Sequence, residues 1–316
     1  MNVAFVGCGK FGQKRIQAVL KTFPNITIKK IFDSNPVVLR HVAEQFQLNT
    51  VSSLQNIIDD KSIDVAFVAV PNHIHADVCV PLIQSGKHLL CEKPISHDLK
   101  SAQQILLAAQ KYNRFVKIGS NLRHFPISRA LFKRVKSGEF GPIVDLKGTI
   151  GHNGDLVKGA WNEKRQLSGG GTLIDNGIHL IDYFQALAGE FATRFELIDH
   201  KIGPNDIETQ ITVRYFALDS IPVTIESSWN KSDGYCEIEI KTQKAILRAE
   251  ITSDKYFIED SEGHVTPVAI EESLFAIPHE IKTFFEKVHD GYCDQTTKQG
   301  LINLEKVQLV YECLWN

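Results

Sequence analysis

Four side chains set the chemical question. In GGGTLIDNGIHLID, residues 169–182, Asp175, His179 and Asp182 stand at i, i+4 and i+7, so on a helix they form a single polar stripe. A neutral imidazole can take a proton near neutral pH. A carboxylate one turn away can orient that ring or bind a neighbouring hydroxyl. The fourth group is Lys93, in Glu92-Lys93-Pro94. An ammonium group there can hydrogen-bond a substrate hydroxyl or stabilise charge developing on its oxygen. Together these are groups able to take up, hold or orient a proton.

Each part also has a plainer reading. Thr172-Leu173-Ile174-Asp175 is close to a capping box, in which Asp175 only satisfies helix amides. Asp175 and His179 can also be a simple i, i+4 pair worth about a few tenths of a kcal/mol. A Glu-Lys-Pro triplet by itself is most often a loop with a solvated lysine. Asp182 is expected to anchor neighbouring backbone rather than touch substrate. The glycines ahead suit a loop that turns sharply or lets a ligand approach the backbone. Ile174, Ile178 and Ile181, with Leu173, Leu180 and Leu187, predict a largely buried helix.

The elements that must carry these groups begin at the N-terminus. NVAFVG is a short apolar strand leading into Gly7-Cys8-Gly9-Lys10-Phe11-Gly12, a G-x-G-x-x-G loop. A helix over 13–21 and a strand over 26–32 follow, and the strand ends in Asp33. Gly7 and Gly9 permit the tight turn and the approach of a pyrophosphate to the helix N-terminus, and Gly12 lets helix and strand pack closely. Asp33 stands where a carboxylate binds the adenosine ribose hydroxyls and repels a 2′-phosphate, and positions 34 and 35 hold no arginine. The expected cofactor is therefore NAD, favoured over NADP.

Strands over 63–70, 88–91 and 115–118 alternate with helices over 74–84 and 99–111, which predicts a parallel, doubly wound α/β sheet. Ligands sit beyond the carboxyl ends of such strands, where Val70-Pro71-Asn72 and Cys91-Glu92-Lys93-Pro94 lie. After Gly119 the period changes. A helix over 127–137 precedes strands over 143–150, 207–216, 223–229 and 235–240, with two more over 244–251 and 255–258. Strands in succession predict an open, mostly antiparallel sheet in an α+β domain. Helices over 279–288 and 301–314 close the chain. The division is an NAD(P)-binding Rossmann domain over 1–120 and a second, substrate-binding α+β domain over 121–316, the last helices packing back on the first.

Composition narrows the function classes. The 316 residues are 43% hydrophobic and 23% charged with a formal net charge of −2, which gives no electrostatic case for nucleic acid or an anionic membrane. No apolar run approaches the roughly 20 residues that span a bilayer. The first residues lack a basic n-region. The six cysteines, Cys8, Cys79, Cys91, Cys236, Cys293 and Cys313, show no CxxC spacing. Reduced thiols and a cytoplasmic location are expected. His73 and His75 lack companion ligands, so no metal site is expected.

GCGKFG, VPNHIH, CEKP, GSNLRHFP and GGGTLIDNGIHLID, in that order, resemble the glucose–fructose oxidoreductase / inositol dehydrogenase / MocA family over nearly the whole chain. The resemblance implies a Rossmann domain followed by an α/β domain whose open sheet makes a homodimer or homotetramer. It also implies that Lys93, Asp175 and His179 are catalytic: His179 the general base, Lys93 the group holding the oxygen, and Asp175 an orienting or hydroxyl-binding group. The expected cofactor contacts are Gly7, Gly9, Lys10, Phe11, Gly12, Asp33, Ser34, Val70, Pro71, Asn72, His75, Glu92, Lys93 and Asn121. Substrate contacts are expected from Arg123, His124, His152, Asn153, Trp161, Arg165 and Asn176, which suit a sugar, polyol, sugar acid or nucleotide sugar. The competing functions are a dinucleotide-sensing regulator without turnover and a reductase of a dihydrodiol or biliverdin-like compound.

Overall fold

The computed structural model describes residues 1–155, 157–218, 220–230, 234–253, 255–270, 275–291 and 296–315. It divides into two units, Met1–Gly119 with Ile277–Ile302, and Ser120–Ala276 with Asn303–Asn316.

In the first unit, β1 (Asn2–Val6), β2 (Thr27–Phe32), β3 (Val65–Val68), β4 (His88–Glu92) and β5 (Val116–Gly119) form a parallel sheet in the order β2-β1-β3-β4-β5. A single parallel bridge, Ile31 to Thr50, extends it beyond β2. Counting that bridge as a vestigial strand gives the strand order of a doubly wound dinucleotide fold, reversing between β1 and β3. The helices are α1 (Lys10–Thr22), α2 (Pro36–Phe46), the short α3 (Gln55–Ile58), α4 (His75–Gln84) and α5 (Leu99–Lys111). Asn35 caps α2, accepting from the Val37 and Val38 amides.

The core is aromatic. Phe5 stacks on Phe67 with ring centroids 4.6 Å apart, and Phe284 meets Phe67 and Phe115 at 6.1 and 5.5 Å. Phe284 lies on a helix near the other end of the chain, so a remote segment closes this core.

In the second unit the helices are α6 (Pro126–Lys136), the single turn α7 (Arg165–Ser168) and α8 (Ile178–Ala188). Its eight-stranded sheet contains β6 (Ile143–Gly151), β7 (Phe191–Ile202), β8 (Glu208–Ala217), β9 (Ile221–Ser228), β10 (Tyr235–Thr242), β11 (Ala245–Glu250), β12 (Lys255–Asp260) and β13 (Val265–Pro267). The order is β13-β12-β11-β10-β6-β9-β8-β7, antiparallel except for β6 with β9. Two late helices follow: α9 (Ala276–His289), which falls almost wholly in the first unit, and α10 (Thr296–Trp315).

The predicted elements stand within a few residues of those observed, and six are additional: α2, α3, the bridge at Thr50, α7, β7 and β13. The vestigial strand at Thr50 and the turn α7 are too short to show a period. The 12-residue β7 is largely exposed on both faces, so it lacks the alternation that marks a half-buried strand. β13 has three residues, all exposed.

Candidate active site

The first unit holds the cofactor motif. Gly7 has φ +92°, and a Cβ on it would stand 2.3 Å from the Ala69 carbonyl oxygen; one on Gly12 would stand 2.1 Å from the Gly7 oxygen. Both must be glycine for the loop to close against β3 and α1. At Gly9, nothing lies within 4 Å of that position. Exposed Lys10 and Phe11 follow, and the first turn of α1 carries neither an acidic side chain nor a side-chain cap. No side chain caps its amides, which leaves them to receive a diphosphate. Asp33 accepts the Cys8 amide at 2.7 Å and the Asn35 amide at 2.8 Å, which pins its carboxylate beside the loop. Ser34 is exposed next to it.

Val70 and Pro71 are half-buried beyond β3, and Asn72 is buried. His75 is not a ligand-facing group: it is fully buried, with Nε2 3.0 Å from the Val70 oxygen and Nδ1 3.0 and 3.3 Å from those of Pro94 and Ile95. It ties the Val70-Pro71-Asn72 turn to the Lys93 turn. Burial lowers its basicity against the pull of these carbonyls. Glu92 is likewise engaged by protein, its Oε1 paired with Arg15 Nε. Lys93 is half-buried, followed by a cis peptide to Pro94.

In the second unit the glycine-rich segment departs from a plain α-helix. Residues Leu173–Gly177 form a π-helical turn, and α8 begins at Ile178. The wider turn breaks the i, i+4, i+7 register, so the predicted single stripe divides. Asp175 Oδ2 receives the indole Nε1–H of Trp229 at 3.2 Å and lies 3.7 Å from His152 Nε2. Because His152 Nδ1 accepts the Gly154 amide at 3.0 Å, the neutral ring carries its proton on Nε2, facing Asp175. Asp182 points elsewhere. It pairs with Arg123 Nε at 2.7 Å and accepts from Asn303 Nδ2 at 3.0 Å. It is an anchor, as expected, but of side chains.

From Gly171 to Gln185, only Asp175, Asn176 and His179 reach solvent. This selective exposure distinguishes the segment from an ordinary buried helix. The capping-box reading fails, because the Thr172 hydroxyl meets Ser227 Oγ at 2.7 Å. The cap comes from Glu208, a fully buried carboxylate accepting the Gly171 and Leu173 amides at 2.9 Å each and the Tyr311 hydroxyl at 2.6 Å. Tyr311 in turn accepts the Ile174 amide at 3.1 Å. Burial lifts Glu208 to about 7, outweighing these donors.

The glycines therefore serve packing rather than ligand approach. A Cβ on Gly170 would strike the Tyr311 ring at 2.2 Å, and one on Gly171 the Glu208 backbone oxygen at 2.0 Å. Gly169, at φ +84°, supplies the turn.

Of the expected substrate contacts, His152 and Asn176 gather with Asp175. Asn153 is exposed and bonded to Asp155 Oδ2 at 2.9 Å. Arg123 is held by Asp182. Arg165 stacks on Trp315, its guanidinium carbon 3.6 Å from the ring centroid, and pairs with Asp206 at 3.2 Å. Neither arginine is grouped with Asp175. Asn121, Arg123 and His124 lie in one 3-10 turn and Trp161 begins another, all half-buried. Trp229, Glu208 and Tyr311 escaped sequence reasoning. Trp229 reads as the tail of a strand, and neither other residue sits in a recognisable motif.

Residues 1–120 match the oxidoreductase family with an NAD-binding Rossmann fold, and residues 128–248 match the GFO/IDH/MocA C-terminal domain. The chain belongs to this family of NAD-binding oxidoreductases. Among family relatives, levoglucosan dehydrogenase of Pseudarthrobacter phenanthrenivorans is 28% identical over 203 residues, covering 61% of this chain but only about half, 52%, of that enzyme. Inositol 2-dehydrogenase of Corynebacterium glutamicum is 24% identical over 299 residues, 92% of this chain and 86% of the relative. The fold matches levoglucosan dehydrogenase in complex with NADH and levoglucosan at a TM-score of 0.88 and 21% identity, over 99% of this chain and 97% of that one. It matches aldose–aldose oxidoreductase from Caulobacter crescentus at 0.88 and 19%, over 99% and 96%.

Among the described residues, no helix is long and apolar enough to cross a membrane, and no three His, Cys, Asp or Glu side chains group as a metal needs. Cys8, Cys79, Cys91, Cys236 and Cys313 are free thiols; Cys293 lies outside the described residues.

Proposed function

We infer that the chain transfers a hydride between NAD and a carbinol carbon of a sugar, polyol, sugar acid or nucleotide sugar. The observation that carries this reading is the exposure of Asp175, Asn176 and His179 on an otherwise buried segment. Here a carboxylate, an amide and an imidazole open together, with Trp229 and His152 within reach of Asp175. Gly7, Gly9, Gly12 and Asp33 would hold the dinucleotide, and their closed loop with an open outer face at Gly9 fits a diphosphate. Bound there, NAD supplies the hydride acceptor.

The chain's own groups handle the proton and the oxygen. His179 takes the hydroxyl proton as general base. The Lys93 ammonium donates to the same oxygen and favours its anionic form. Asp175, fixed by Trp229 and faced by the His152 Nε2–H, accepts a hydroxyl of the substrate or orients His179. In reduction the same groups run in reverse. The names of the relatives, levoglucosan dehydrogenase and inositol 2-dehydrogenase, support a polyhydroxylated substrate. A homodimer or homotetramer through the second sheet belongs to this reading. Val144, Ile198, Ile202 and Val265, exposed on its strands, support it, and the mass in solution tests it.

The function is tested by following nicotinamide absorbance with purified protein, NAD or NADP, and a panel including levoglucosan, inositol, aldoses, sugar acids and nucleotide sugars. NADH forming with one class supports the reading. Dinucleotide binding without turnover across the panel contradicts it and favours a sensor.

A further inference from the structure

A buried charge network in the first unit involves no residue of the cofactor motif except Glu92. Arg15, on α1 three residues after Gly12, is 1% exposed. Its Nε pairs with Glu92 Oε1, and its Nη2 donates to Glu280 Oε2 at 2.9 Å. Glu280, on α9, is wholly buried and lies 3.9 Å from Lys117 Nζ on β5. Two cations and two carboxylates thus meet where four segments converge. Gly119 makes the room: a Cβ there would stand 2.7 Å from Arg15 Nη2 and 3.3 Å from Glu92 Oε2. Burial opposes the charge on Arg15, and Glu92 and Glu280 more than reverse that effect.

Stability is a weak reason for such a network, because buried ion pairs can often be replaced by apolar side chains of similar volume without loss. Its placement supplies a better one. The network joins the helix that follows the glycine loop to the residue directly before Lys93, and it is locked by a helix whose Glu280 lies 265 residues from Arg15 in sequence. Arg15 offers its planar fork to two carboxylates at once, which fixes direction as well as distance. We propose that Arg15 and Glu280 are positioning residues that hold the Glu92–Lys93–Pro94 turn in register with the dinucleotide loop. The role rests on Lys93 acting beside the cofactor. Glu280 touches neither cofactor nor substrate and acts through Arg15 and Glu92.

The test needs no known substrate. The full-length protein is labelled with acetic anhydride with and without NADH, and acetylation of Lys93 is read by peptide mass spectrometry against Lys111 on α5. NADH affinity is measured in parallel by fluorescence. In the unaltered protein NADH should lower Lys93 labelling about fivefold or more, and in Glu280→Gln the protection should fall below about twofold while NADH still binds. Glu280→Asp, which keeps the charge, should restore part of the protection. Arg15→Lys, which keeps the charge but loses the fork, should behave like Glu280→Gln and serves if that variant does not fold. Equal protection in the unaltered protein and these variants would overturn the positioning role. If NADH binds the unaltered protein without protecting Lys93, the assignment of Lys93 itself fails, a separate result.

Discussion

At the scale of single residues the account rests on groups that hold protons. Replacing His179 by Ala removes the proposed base and should lower kcat by about 10²–10⁴, with NADH binding retained. A raised KM with kcat unchanged would instead show that the ring only binds substrate. Trp229→Phe removes the indole donor to Asp175 and should weaken catalysis less than His179→Ala, since the carboxylate stays in place. Glu208 sets a pH dependence of stability. Its carboxyl is raised to about 7 in the native protein from 4.5 in a free chain, mainly by burial. The native state therefore holds that proton more tightly. The resulting stabilisation is full below pH 4.5 and is lost as pH rises to about 7. Relative to Glu208→Gln, the melting temperature of the unaltered protein should decline across that window. A constant difference would mean that Glu208 does not titrate there.

At the scale of elements, the cap on the π-turn carries the consequences. Tyr311→Phe leaves the Ile174 amide without its acceptor and Glu208 with one donor fewer, costing about 1–3 kcal/mol. Thermal unfolding checks this, and a neutral substitution would show that the cap is dispensable. In the first unit, Phe284→Ala opens a hole between Phe67 and Phe115 and should cost about 3–5 kcal/mol. These same elements mark the limit of reading by pattern. Ile174, Ile178 and Ile181 announced a buried helix, and it is buried. The π-turn inside it was invisible, because periodicity over so few residues does not separate 3.6 residues per turn from a wider turn. Glu208, Tyr311 and Trp229 reach the segment from strands and a helix far off in the sequence, and no local spacing announces such contacts.

For the whole molecule, most of the architecture was legible because one sheet is buried on both faces and reads as continuous apolar runs, while the strands of the other alternate. β7 was lost because its side chains are largely exposed. The cofactor loop was legible because its glycines are forced by backbone contacts. The candidate substrate set was less so: Arg123 and Arg165 look like anion-binding groups in isolation, and both are spent on protein partners. Asp33 beside the loop gives a whole-protein prediction. NAD should raise the melting temperature more than NADP at equal concentration, and Asp33→Ser should narrow the gap. An equal shift by both would contradict the role given to that carboxylate.

The central claim is hydride transfer assisted by Lys93 and His179, and the most direct measurement compares unaltered protein with Lys93→Ala/His179→Ala by nicotinamide absorbance on the compound of the sugar and polyol panel that is turned over fastest. The account predicts rapid change in cofactor redox state with the unaltered protein and near-complete loss in the double variant, with NADH still bound. Full turnover by the double variant would contradict it.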